Sequence, residues 1–97
     1  MTLPEILSQA IRLLGEGRDR VVIARGDTDE HLNGHCQVFQ MRLRRDSDMG
    51  LSAYRCEARS WLGEQWSSWT ERRGWLGGGG FDIDDVLAID WRLEHVP

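Results

Sequence analysis

Apolar residues in the first fifteen positions recur with the period of a helix. Leu3, Ile6, Leu7, Ala10, Ile11 and Leu14 follow the i, i+3, i+4, i+7 spacing, while Glu5, Gln9, Arg12 and Glu16 fall on the opposite side. Pro4 suits a first helical turn, where its missing N–H costs nothing. Gly15 and Gly17 supply the stop. The pattern predicts an amphipathic helix packed on another layer.

Beyond Gly17 the period changes to two. "RVVIAR" (20–25) is short, β-branched and apolar, and reads as a strand. "GDTDEHLNG" (26–34) breaks the pattern and reads as a loop. "HCQVFQMRLRR" (35–45) alternates Phe39, Met41 and Leu43 with Gln40, Arg42 and Arg44, the signature of a half-buried strand. "DSDMG" is a turn. In "LSAYRCEARSWL" (51–62), Tyr54, Cys56, Ala58 and Leu62 point one way and Arg55, Glu57, Arg59 and Trp61 the other. These two strands predict an antiparallel hairpin with a polar, arginine-bearing outer face. "GEQ" can turn the chain and "WSSWT" can return as a further strand.

The four glycines at 77–80 read as a loop, since glycine has the most backbone freedom to lose. "FDIDDVLA" reads as a short helix, with Asp82 as N-cap and Asp85 three residues on. "IDWRLEHV" closes the chain as a strand. The whole predicts one α+β domain over residues 1–97, an N-terminal helix packed on a mostly antiparallel sheet of about five strands, with a short helix before the last strand.

Composition narrows the function. A chain of 97 residues makes one small domain with a modest core. No apolar run approaches the roughly 20 residues that span a bilayer, and the N-terminus has no basic region followed by an apolar one. A cytoplasmic location, in a host cell, is expected. Cys36 and Cys56 lie far apart and are expected as buried, reduced thiols. The net charge is −4, which does not favour direct nucleic-acid binding. All twelve basic residues are arginine, a planar fork suited to phosphate or carboxylate.

Catalytic motifs are lacking. There is no nucleophile elbow and no His-Glu-x-x-His, and "GWLGGGGFD" lacks the Lys-Ser/Thr of a P-loop. His31, His35 and Cys36 are close in sequence but short of a zinc set. Asp27, Asp29 and Glu30 depart from a calcium-loop spacing. No catalysis, metal or cofactor is expected.

The tryptophans carry the chemistry. Trp61, Trp66, Trp69 and Trp75 fall within twenty residues, beside Arg72, Arg73 and the glycine run. So many indoles cannot all enter a small core without stranding polar edges, and Trp61 sits on the arginine side of its strand. Indole faces stack on nucleobases, worth about 1–3 kcal/mol per base. Arginine forks clamp phosphate, and glycine-rich backbone can approach it. Arg25, Trp66, Trp69, Arg72, Arg73 and Trp75 are therefore the expected ligand-binding residues. Asp90 is a further candidate, as acceptor from an exocyclic amine or ribose hydroxyl. Trp91 is expected in the core.

Two stretches carry a family resemblance. "ILSQAIRLLGEGRDRVVIARG" (6–26) resembles the opening of the small phage Thoeris anti-defence proteins of the second type. "FDIDDVLAIDWRLEHV" (81–96) is similar to that family's ending, here Asp85, Val86, Leu87, Ala88, Ile89, Asp90 and Trp91. The turn after the first strand differs, "RGDTDEHLNG" standing where the family has a Gly-Trp-Asn-Gly-like turn. The resemblance implies a sponge that sequesters a cyclic nucleotide or cyclic ADP-ribose-like immune signal without cleaving it. It also implies a homo-oligomer with pockets at or near subunit interfaces. The alternative is a protein-binding, anti-CRISPR-type inhibitor of a bacterial defence protein, using an acidic face (Asp82, Asp84, Asp85, Asp90, Glu94) to mimic nucleic acid. An arginine and tryptophan pocket distinguishes the first reading; a continuous acidic patch with every tryptophan buried distinguishes the second.

Overall fold

The computed structural model describes residues 1–28, 37–76 and 89–96. Helix α1 spans Leu3–Leu14, followed by strands β1 (Val21–Thr28), β2 (Val38–Arg45), β3 (Tyr54–Ser60) and β4 (Thr70–Glu71), a helical turn α2 (Arg73–Leu76), and strand β5 (Ile89–His95). The strands form one five-stranded sheet in the order β4-β3-β2-β1-β5, antiparallel throughout. The expected α+β architecture is present, with a helix on an antiparallel sheet and a short helix before the last strand.

Helix α1 begins where its sequence says it should. The Thr2 hydroxyl accepts from the Glu5 N–H at 3.4 Å, and Pro4 stands in the first turn. Gly15 ends it at φ 54°, in backbone space that residues with a Cβ avoid. Arg45 reaches back from the end of β2 and donates to the Gly15 carbonyl at 2.9 Å, a cation at the negative end of the helix. The buried stripe Leu3, Ile6, Leu7, Ala10 and Leu14 packs on Val22, Ala24, Phe39, Met41, Leu43, Cys56 and Ala58 from the inner face of the sheet. Trp75 and Trp91 complete this core, 4% and 1% exposed, edge to face with ring centroids 5.8 Å apart.

Several boundaries differ from expectation. Gly26–Thr28 extends β1 instead of opening a loop, because it pairs with both β2 and β5. Gly50–Ala53 is a 3-10 turn, and β3 starts only at Tyr54. Leu62 is exposed, not inward, because the regular pairing of β3 ends at Ser60; beyond it Trp61 N–H donates to the Val38 carbonyl at 2.9 Å and Trp61 makes an isolated bridge to Trp66. "WSSWT" returns beside β3, but only Thr70–Glu71 forms regular strand. The helical turn at Arg73–Leu76 stands where the residue pattern predicts no helix. The helix expected from Asp82, the remainder of the loop expected at 26–34, and Cys36 lie outside the described residues.

Strand β5 returns from beyond α2 to the free edge of β1. There Met1 pairs with it. The Met1 nitrogen donates to the Trp91 carbonyl at 2.9 Å, and the Trp91 N–H donates to the Met1 carbonyl at 2.8 Å. That exchange blunts part of an otherwise open edge. No helix among the described residues is long and apolar enough to cross a membrane.

Candidate functional site

Alternation places a second set of residues on the sheet face that α1 does not cover. Buried Val22, Ala24 and Gly26 leave Val21, Ile23, Arg25 and Asp27 outward on β1; β2 adds Gln40, Arg42 and Arg44, β3 adds Arg55, Glu57 and Arg59, and β5 adds Asp90, Arg92 and Glu94. Register lines these up in rows. One row reads Arg59, Gln40, Arg25, Arg92 across four strands; its neighbours pair Glu57 with Arg42 and Arg55 with Arg44.

Two tryptophans lie on this face, Trp69 through the β3–β4 pairing and Trp66 through its bridge to Trp61. Glu71 stands opposite Glu57 and Thr70 opposite Ala58, so the next residue, Trp69, falls beside Arg59. The Arg59 guanidinium carbon is 4.4 Å from the Trp69 ring centroid and 4.8 Å from that of Trp66. The Arg42 guanidinium lies 4.3 Å from Trp69. Trp61 meets Trp66 edge to face at 5.3 Å and remains 43% exposed. The result is a ladder, Trp61, Trp66, Arg59, Trp69, Arg42, in which cations and rings are in mutual contact. Cation–π contacts of this kind are worth about 0.5–2 kcal/mol each, depending on desolvation.

Hydrogen bonds fix the ladder from beneath. Arg42 holds Glu57 through two parallel bonds, Nε to Oε1 and Nη2 to Oε2, both 3.1 Å. Arg59 Nε donates to Gln40 Oε1 at 2.8 Å, and Gln40 Nε2 donates to Glu94 Oε2 at 3.0 Å. The bond from Arg42 holds the Glu57 carboxyl below the usual carboxylate range, aided by the charges of Arg42, Arg44 and Arg55 and opposed by burial. At the other end of the face, Asp27 lies between Arg25 at 3.3 Å and Arg92 at 3.8 Å.

The seven residues expected to bind ligand are dispersed. Arg25, Trp66, Trp69 and Asp90 are on the outer side of the sheet. Asp90, 83% exposed, accepts from the Met1 nitrogen at 2.9 Å, and this contact lowers its pKa. Trp75 is not on this face; it is buried in the core, 4% exposed. After Glu71 the chain leaves the sheet, strand parity no longer governs, and the helical turn α2 delivers the indole into the core against Trp91. Arg72 accompanies it, 5.8 Å from the Trp75 ring. Arg73, 87% exposed, pairs with Glu71 and borders a cleft of about 310 Å³ with Tyr54, Arg55 and Leu76. The Trp75 and Trp91 indole N–H groups have no partner among the described residues, the stranded polar edges that crowding tryptophan into a small core entails.

Arg42, Arg59 and Gln40 are part of the surface and were not among the expected binding residues. Their signal was present in the alternation of 35–45 and 51–62; what the sequence lacks is the register that brings Trp69 beside Arg59. His31, His35, Cys36 and the glycine run lie outside the described residues, among which no group of three or more metal-ligating side chains gathers. Of the acidic residues proposed to mimic nucleic acid, Asp90 and Glu94 are engaged by Met1 and Gln40, and Asp82, Asp84 and Asp85 lie outside the described residues. Comparison of the chain with family models, with curated proteins and with solved structures gave no match.

Proposed function

We propose that this chain is a binding protein for a planar, anionic ligand of the nucleotide type, taken on the outer face of the sheet. The observation that carries this reading is the serial contact of Trp66, Arg59, Trp69 and Arg42, with Trp61 left partly exposed at its end. A surface of flat rings and flat cations, held by Glu57 and Gln40 before any ligand arrives, spends little ordering entropy on binding. Bases stack on indole and on guanidinium planes alike. Sequestration of a cyclic nucleotide or cyclic ADP-ribose-like signal, the role implied by the resemblance to the Thoeris anti-defence proteins, uses this chemistry and requires no turnover. Self-association, so that two such faces close on one ligand, belongs to the same proposal.

Calorimetric titration with cyclic dinucleotides and cyclic ADP-ribose isomers, with tryptophan emission followed in parallel, tests it. Tight binding of one ligand is expected. Trp61→Ala, which removes an exposed ring outside the core, is expected to weaken it by about 1–3 kcal/mol. No heat and no emission change across the panel would refute the proposal for those ligands.

A further inference from the structure

We infer that Arg44 and Arg55 form a phosphate-binding site on the same sheet face, two residues along the strands from Arg42, the near end of the ladder. Register sets these two arginines directly opposite one another. Like charges in that position destabilise a sheet, and the pair one step along the face, Arg42 with Glu57, shows the ordinary solution of opposite charges. The Arg44 side chain makes no hydrogen bond or ion pair among the described residues, and its Nε is buried without a partner. Arg55 pairs with Asp46, Nε to Oδ2 at 3.3 Å, and its side chain makes no hydrogen bond among the described residues, which leaves donors for an incoming acceptor. Glu57 cannot serve Arg44 fully, since both its oxygens are bonded to Arg42. Arg44 and Arg55, the least engaged arginines of this part of the face, are thus opposed in register. Two opposed guanidinium forks can grip a tetrahedral oxyanion, where N–H donors meet adjacent oxygens.

The spacing adds information. At about 3.4 Å per residue, the Arg44–Arg55 row lies about 14 Å along the strands from the row of Arg59 and Trp69, and about 7 Å from Arg42. A ring stacked at the Arg59 row and a phosphate at the arginine pair belong to a ligand longer than one nucleoside. The identity of that ligand rests on the nucleotide reading above; the phosphate site itself does not.

The test uses arginine Nε–H signals in ¹H–¹⁵N spectra of the full chain, titrated with inorganic phosphate against chloride at matched ionic strength. Saturable shifts are expected at Arg44 and Arg55 and not at the exposed Arg73, and Arg44→Gln should abolish the Arg55 shift. Because that substitution removes one of two like charges opposed in register, its Tm should equal or exceed that of the parent, which a merely structural arginine would not allow. No saturable shift at either residue, or equal shifts at Arg73, would overturn the site. A phosphate-bearing nucleotide should bind Arg44→Gln at least about tenfold more weakly, while a phosphate-free nucleoside should bind both proteins equally. If nucleotide binds Arg44→Gln undiminished, the site is refuted and the nucleotide reading stands. If nucleotides fail to bind the parent while phosphate shifts both arginines, the reverse holds.

Discussion

Gly26 is the position where adding one carbon should do most harm. It lies in β1 opposite Trp91 of β5. A Cβ built there would stand 2.7 Å from Ile89 Cγ2 and 2.9 Å from both Cδ2 and Cε2 of Trp91. Ile89 is only half-buried and can turn away. The indole cannot, since it is 1% exposed and confined by Trp75. Forcing a methyl into a packed core costs about 1–3 kcal/mol. Replacing glycine returns about 0.4–1 kcal/mol by stiffening the unfolded chain. Gly26→Ala should therefore destabilise by about 1–2 kcal/mol, roughly 5–15 °C in Tm for a domain of this size. Gly17→Ala is the control. Its Cβ also meets an atom at 2.9 Å, but that atom is Cδ of Arg20, a flexible side chain that can move. Urea and thermal unfolding of both variants decide the matter. Gly26→Ala as stable as the parent, or indistinguishable from Gly17→Ala, would refute the reasoning. In a Trp91→Leu background the Gly26→Ala penalty should shrink, because the obstructing ring is gone.

Glu57 makes stability depend on acid. Its carboxyl titrates below the ordinary value in the folded protein, so the unfolded chain binds more protons; the contribution is complete above the unfolded value of about 4.3 and is lost as pH falls through the folded one. The Tm deficit of Glu57→Gln against the parent should accordingly narrow as pH drops from 7 to 3, and a constant deficit would contradict the assignment. Arg45 contacts the Gly15 carbonyl, the Tyr54 hydroxyl and the Asp48 carboxylate, so Arg45→Met should cost about 1.5–3 kcal/mol in urea unfolding.

The periodicities carried most of this fold. A 3.6 period ending at glycine marked α1, and a two-residue period marked β2 and β3 together with the side each residue faces. The alternation even put Arg42, Arg59 and Trp61 on the solvent side. Beyond Glu71 strand parity no longer applies. Trp75 lies four residues beyond Glu71, too far for alternation to place, and an isolated four-residue helical turn leaves almost no propensity signal. Pairing register was equally out of reach, because nothing local in "WSSWTE" states which residue of β3 each will meet. Arg59 and Arg44 therefore looked like ordinary solvated charges in the sequence, and their partners, one an indole and the other a second arginine, are set by the sheet.

The ladder also explains how a strand of two residues keeps its place. A slip of one position in β4 would turn Trp69 toward the inner face and set Thr70 beside Arg59. Two backbone pairs resist such a slip weakly, but the slip would also break the contacts of Trp69 with Arg42 and Arg59. The stacking is thus part of the fold as well as part of the surface. That dual use limits what a ligand can take from it. A phosphate drawing Arg59 or Arg42 away would have to compensate for a lost ring contact and, for Arg42, a bidentate bond to Glu57. Arg44 and Arg55 carry less of that burden, since an anion between them relieves repulsion already present. On one face, then, the rings are suited to stacking and the opposed arginines to charge. A ligand that spans both gains from each without dismantling either.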